Sequence, residues 1–226
     1  LLFVVPFVNS SKNFIQSKET NKYEFRAPLN FSLINNPEET GAFFSNMISF
    51  IKDKRNLGKS LFIDISNISS LTIDALMYLL AIVNNSNSNF RDKYSFSGNT
   101  PSDEKVRRMF SESGFYHFVH HKGTAPLIKN DDNIQIVSGE NCDTTLAKRL
   151  SDFVCEKANV KKRSCSFLYN MIIELMSNTH KHAYVAKNIL HPRWYCYAEY
   201  ESPNIISFSF MDIGASIPAT VKKNFA

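Results

Sequence analysis

Apolar positions along the chain alternate between two periods, and the changes between them mark its elements. Lys22–Ala27 has the rough two-residue alternation of a strand. Asn36-Pro-Glu-Glu39 then opens a helix, with Asn36 as cap and Pro37 in the first turn. Phe43, Phe44, Met47, Ile48 and Ile51 recur at helical spacing behind it. Ser60–Ile65 is a short apolar strand with one interior carboxylate, Asp64. A helix with Leu76, Leu79, Leu80 and Val83 on its inner face follows, and Tyr94–Ser97 is another strand. Ser102 caps a helix over residues 102–110, and Gly114 closes it. The apolar run Leu1–Val8 is expected to be a first strand.

Residues 119–140 are polar and rich in turn residues, with one short strand at Ile134–Val137. Beyond them Asp143 or Thr144 caps a helix that turns Leu146, Leu150 and Val154 inward. A longer helix covers residues 166–184. Leu168, Met171, Ile172, Leu175 and Thr179 form its apolar face, and Glu174, Asn178 and His182 form a polar stripe at i, i+4 and i+8. Trp194–Tyr200 and Ile205–Asp212 are strands joined by Glu201-Ser-Pro-Asn204, the chemistry of a hairpin turn. Strands interleaved with helices predict an α/β (α+β) chain of two parts: an α/β domain over 1–125, a linker over 126–142 and a second α/β domain over 143–226.

The balance of 26 basic against 21 acidic residues is mild, and its clusters, 52–55 and 161–163, are too short to argue for nucleic acid. Four cysteines without a CxxC pair or a histidine at zinc-finger spacing point to reduced thiols and a cytoplasmic setting. No apolar run is long enough for a membrane span.

A carboxylate and an amide beside a core face need partners, which a metal or a polar ligand supplies. Glu174-Leu-Met-Ser-Asn178 fits the pattern E/N-x-x-x-N on a helix. Asp212-Ile-Gly-Ala-Ser-Ile217 fits D-x-G-x-G-I at a strand end, apart from Ser216 at the second glycine. Together, in this order and on these elements, they resemble the N-box and first glycine box of the Bergerat-fold ATPases, the GHKL superfamily of topoisomerase, chaperone, mismatch-repair and histidine-kinase domains. The resemblance implies Mg²⁺ and ATP as cofactors. Asn178 would hold the Mg²⁺ that bridges the phosphates. Asp212 would accept from the adenine amino group, Gly214 would let backbone approach the base and Ile217 would line its pocket. Glu174 would orient or deprotonate the attacking water or a protein hydroxyl. Lys181 and His182 would face the nucleotide. That superfamily closes its site with a later glycine-rich lid. No glycine follows Gly214, so the expectation is a fold incomplete at its C-terminus.

Residues 60–118 resemble a STAS-like domain, the fold of the anti-anti-sigma factors, through Leu61–Ile68, Leu71–Leu76 and Glu104–Phe115. The family's phosphoacceptor serine follows an aspartate that here is Asp74. The next residue is Ala75, which has no hydroxyl to accept a phosphate. The resemblances imply an ATPase switch coupled to a regulatory domain, with a protein partner and room for a homodimer. The alternatives are an anti-sigma-type serine kinase or a histidine kinase, and a non-enzymatic interaction module built on a decayed nucleotide pocket.

Overall fold

The structure is a computed structural model. It describes residues 14–16, 22–89, 94–119, 131–182, 193–201 and 205–213. The expected strand at Leu1–Val8 lies outside them. The fold is mixed α/β, with parallel and antiparallel sheets in two compact units, Leu1–Leu127 and Ile128–Ala226.

The first unit runs β1 (Phe14–Gln16), β2 (Lys22–Arg26), β3 (Asn30–Phe31), α1 (Pro37–Lys52), β4 (Ser60–Asp64), β5 (Ser70–Leu71), α2 (Ile73–Asn89), β6 (Ser95–Gly98), α3 (Glu104–Glu112) and α4 (Phe115–Val119). Its main sheet has the order β1-β2-β4-β6, with β2, β4 and β6 parallel. Parallel neighbours need a crossover, and α1 and α2 supply two of them. A two-residue parallel ladder joins β3 to β5, a detail too short for the sequence pattern to predict.

Pro37 in the first turn of α1, followed by Glu38 and Glu39, fits the helix start read from the sequence. Asn36 occupies the cap position, but its amide donates to the Asn30 carbonyl and to Glu39, so it holds β3 instead of capping. α1 buries Phe43, Phe44, Met47 and Ile51. Phe31 packs edge-on to Phe43 at 5.4 Å, and Phe44 edge-on to Tyr78 at 4.6 Å. α2 is buried on nearly every side from Ala75 to Val83, wider than the single face expected. The cap of α3 is Asp103, whose carboxylate accepts from the Val106 amide at 2.9 Å; Ser102, the predicted cap, lies one residue too early. Gly114 follows with φ +82°, the left-handed turn that glycine allows.

The second unit runs β7 (Asn133–Gly139), α5 (Thr144–Lys157), α6 (Ser166–His182), β8 (Trp194–Glu201) and β9 (Ile205–Asp212). The sheet is antiparallel, in the order β7-β8-β9. Asp143 caps α5 by accepting from the Leu146 amide. The core joins Leu146, Ala147 and Leu150 of α5 and Leu168, Ile172 and Met176 of α6 to Ile134, Trp194, Cys196 and Ala198 of the sheet. The inner face of α6 is therefore Leu168-Ile172-Met176-Thr179. Met171, assigned to that face from the sequence, is 42% exposed, and Met176 stands in its place. The i, i+4, i+8 row fits flat sheet contact better than the wider face did.

The cysteines correct a second expectation. Cys155 and Cys165 form a disulfide, with Cα atoms 6.1 Å apart. The C-terminus of α5 reverses at Asn159, a non-glycine residue at φ 51°, with the Val160 amide bonded back to the Cys155 carbonyl and the Asn159 amide to that of Glu156. That reversal returns the chain through the 3-10 turn Lys162–Cys165 into α6. Cys142 is exposed and free. Cys196 is buried and free, and burial pushes its thiol up to about 12.

Candidate functional site

α6 carries the polar stripe on the edge of its buried face. Glu174 is exposed and Asn178, one turn later, is half-buried. Lys181 and His182 are in the last turn of the helix, at positions whose side chains lie outside the description. Gly214 and Ile217 also lie outside the described residues.

Thr179, the neighbour of Asn178, is 2% exposed. Its hydroxyl donates to the Leu175 carbonyl at 3.1 Å, and the side chain is near enough to the Asp212 carboxyl to influence its ionisation. Asp212 is the last residue of β9, and the residue as a whole is exposed. Desolvation nevertheless pushes its carboxyl pKa above the ordinary value, and the Thr179 hydroxyl only partly opposes this. The influence of Thr179 on Asp212 sets the helix with the polar stripe beside the strand end that resembles a glycine box.

Three strand ends meet in one row. Gly139 of β7 stands opposite Trp194 of β8, which stands opposite Asp212 of β9. Directly opposed residues in antiparallel strands share a face. Trp194 belongs to the core under the helices, so Asp212 is on the helix side as well. The row is braced from outside. The Ile213 amide donates to the Arg193 carbonyl at 3.0 Å, and the Arg193 guanidinium pairs with Glu140 at 2.6 Å.

Among the described residues no group of three or more His, Cys, Asp and Glu side chains could hold a metal ion. Cavities of about 350 and 530 Å³ open along α5, lined by residues such as Glu156 and Asn159 in one and Thr144 and Tyr169 in the other. Neither is lined by Glu174, Asn178 or Asp212. No helix among the described residues is long and apolar enough to cross a membrane.

Sequence reasoning grouped Thr179 with the apolar residues of α6 and passed over Gly139, Trp194 and Arg193. Nothing local marks them. Thr179 matters through its nearness to Asp212, and Gly139 through its long-range pairing with Trp194.

The first unit holds a contrasting carboxylate. Asp64 ends β4 opposite Arg26, which ends β2. It accepts from Arg26 Nε at 3.0 Å, Ser66 Oγ at 2.6 Å, the Ser66 amide at 3.1 Å and Asn99 Nδ2 at 2.7 Å. Desolvation raises its pKa, but these donors outweigh it and hold the carboxyl at about 2. Asp74 accepts from the Leu33 amide at 2.7 Å, and Ala75 beside it is fully buried. Compared with protein-family models, with curated proteins and with solved structures, the chain matches none.

Proposed function

We propose that the second unit binds Mg²⁺-ATP in the manner of a GHKL nucleotide site. The observation that carries the reading is Asp212: a strand-end carboxylate on the helix side of the sheet, beside the helix with Glu174 and Asn178, and partly desolvated there. A desolvated acceptor gains from a ligand that brings a donor, and the exocyclic amino group of adenine is such a donor. The half-buried Asn178 offers an amide oxygen of the kind a hard cation takes, one helical step from Thr179. Mg²⁺, when bound, would neutralise phosphate charge. The exposed Glu174 would direct a water or a protein hydroxyl towards the γ-phosphate. Lys181 and His182 would face the phosphates, and Gly214 and Ile217 the base.

The first unit serves in this reading as a STAS-like regulatory domain. Ala75, fully buried and without a hydroxyl, rules out the phosphoserine switch at that position, so regulation would run through docking of a protein partner or a second copy. A cytoplasmic setting is kept as part of the proposal, with the disulfide as a redox-sensitive element in it.

Isothermal titration of the chain with ATP and MgCl₂ tests the proposal. Saturable binding is expected, weakened at least tenfold in Asp212→Asn and in Asn178→Ala. Absence of binding, or binding indifferent to both changes, overturns it. The second reading is a protein kinase, favoured by the exposure of Glu174, which leaves its carboxylate accessible to a partner's hydroxyl. Radiolabel transferred to protein, instead of released as phosphate, would select the kinase. ATP binding with neither outcome would select the interaction module.

A further inference from the structure

The row Gly139–Trp194–Asp212 sets three very different side chains on one face of the sheet. An indole beside a ligand-accepting carboxylate has two directions to lean. In this structure it leans over β7. A Cβ at position 139 would come within 2.8 Å of Cε2 and Cη2 of Trp194, and closer still to Cζ2. The ring therefore occupies the space that any side chain at 139 would fill. Its Nε1 donates to the Asn141 carbonyl at 2.9 Å, beyond the end of β7, and fixes the lean in the same direction. Phe210, two residues before Asp212 on β9, stacks with the ring at 6.3 Å between centroids with 24° between planes.

We infer that Gly139 is a positioning residue for nucleotide selectivity: by leaving room for the Trp194 indole over β7, it keeps that ring away from Asp212 and leaves the carboxylate open to the amino group of the base. This rests on the proposal that Asp212 receives adenine. A methyl group at 139 pushes the indole off β7. The neighbour on the far side of the ring is the strand that ends in Asp212, so the displaced ring shifts or covers the acceptor. Trp194 acts here only through its bulk and its Nε1 tether.

The ratio of ATP to ITP affinity isolates this role. ITP carries a keto oxygen where ATP carries the amino group, so the ratio reads the Asp212 contact and cancels the phosphate contacts. A loss of folded protein lowers both affinities equally and leaves the ratio unchanged. Titration of the whole chain should give a preference for ATP of about tenfold or more, the size of one hydrogen bond to a charged group. Asp212→Asn should bring it close to one. Gly139→Ala should move it at least halfway there on a logarithmic scale. Adding Trp194→Leu, which removes the clash, should restore it, and Trp194→Leu alone should leave it near the wild-type value.

A wild-type preference that survives Gly139→Ala unchanged overturns the inference while the nucleotide reading stands. A wild type without preference overturns the Asp212 contact and the inference with it. If Gly139→Ala does not fold, the double variant decides. Recovery of folded protein with its ATP preference supports the pairing, and failure to recover overturns it.

Discussion

Asp64 and Asp212 are both carboxylates on the last residue of a sheet strand, and their surroundings push their pKa values in opposite directions. Asp64 accepts from Arg26, Ser66 and Asn99, and so ties together the C-terminal ends of three parallel strands. Its pKa is held at about 2. Asp212 has the Thr179 hydroxyl opposing a desolvation that pushes its pKa up. A satisfied carboxylate holds a frame, and in the proposed function the desolvated one at the end of β9 takes a ligand. The second unit is braced by other means, the Cys155–Cys165 disulfide between α5 and the 3-10 turn that leads into α6, and the Arg193–Glu140 pair at the strand ends.

The contrast is broken most strongly by removing the covalent brace. All four cysteines lie beyond residue 141, so a reductant touches the second unit alone. Cys155 and Cys165 are ten residues apart, and closing a loop of that size stabilises by about 3 kcal/mol. Cys165→Ser should lower the urea midpoint reported by Trp194, the single tryptophan, which is buried in the second unit. The transition of the first unit should not move. Equal shifts in both would show that the units do not respond separately.

Asp64→Ala comes next. It leaves the Asn99 amide and the Ser66 hydroxyl without their acceptor at a site where the Asp64 side chain is 9% exposed. Buried donors without partners cost about 1–3 kcal/mol, so a loss of about 2 kcal/mol is expected in the first unit by chemical denaturation. Arg26, half exposed, finds water instead and adds little.

Much of this was legible in the sequence where the signal is local. The proline and acids at the start of α1, the Asp143 cap and the two strands around 201–205 all follow from neighbours within a turn. What was not legible depends on distant pairing. The disulfide needs the left-handed Asn159 to turn Cys155 back towards Cys165. Asp64 reads as an odd carboxylate in an apolar strand until Arg26 and Asn99 arrive from β2 and the end of β6. The inner face of α6 was misjudged at Met171 and Met176 because the two are equally apolar, and only the sheet decides which is covered. The candidate site was half legible: the stripe and Asp212 stand out by motif, whereas Thr179 and Gly139 matter only through the residues they meet.

Asp212→Asn should have the reverse profile of Asp64→Ala. It removes a charge whose desolvation is unfavourable and leaves a side chain of similar shape, so stability should change by no more than about 0.5 kcal/mol. ATP affinity should fall about tenfold to a hundredfold, because a neutral amide is a weaker acceptor than a carboxylate and presents a donor to a donor. A large loss of stability with unchanged affinity would make Asp212 a framework residue like Asp64.

The smallest effect is in the pH dependence, and its sign separates the two carboxylates. Asp64 has a folded pKa near 2, below the unfolded value of about 3.9. Its contribution is complete above the unfolded value and is lost as pH falls from about 4 towards 2. Asp212 has a folded pKa above the unfolded value. Protonation therefore favours the folded second unit. That contribution is present below the unfolded pKa and is lost as pH rises through the folded pKa. On acidification from neutrality towards pH 4, the Trp194-monitored midpoint should carry a rising component that Asp212→Asn abolishes. Below pH 4 the first unit should lose stability, and Asp64→Asn should flatten that fall. A Trp194 midpoint with the same pH profile in wild type and Asp212→Asn would mean that Asp212 is no less satisfied than Asp64, and the contrast between the two strand ends would not hold.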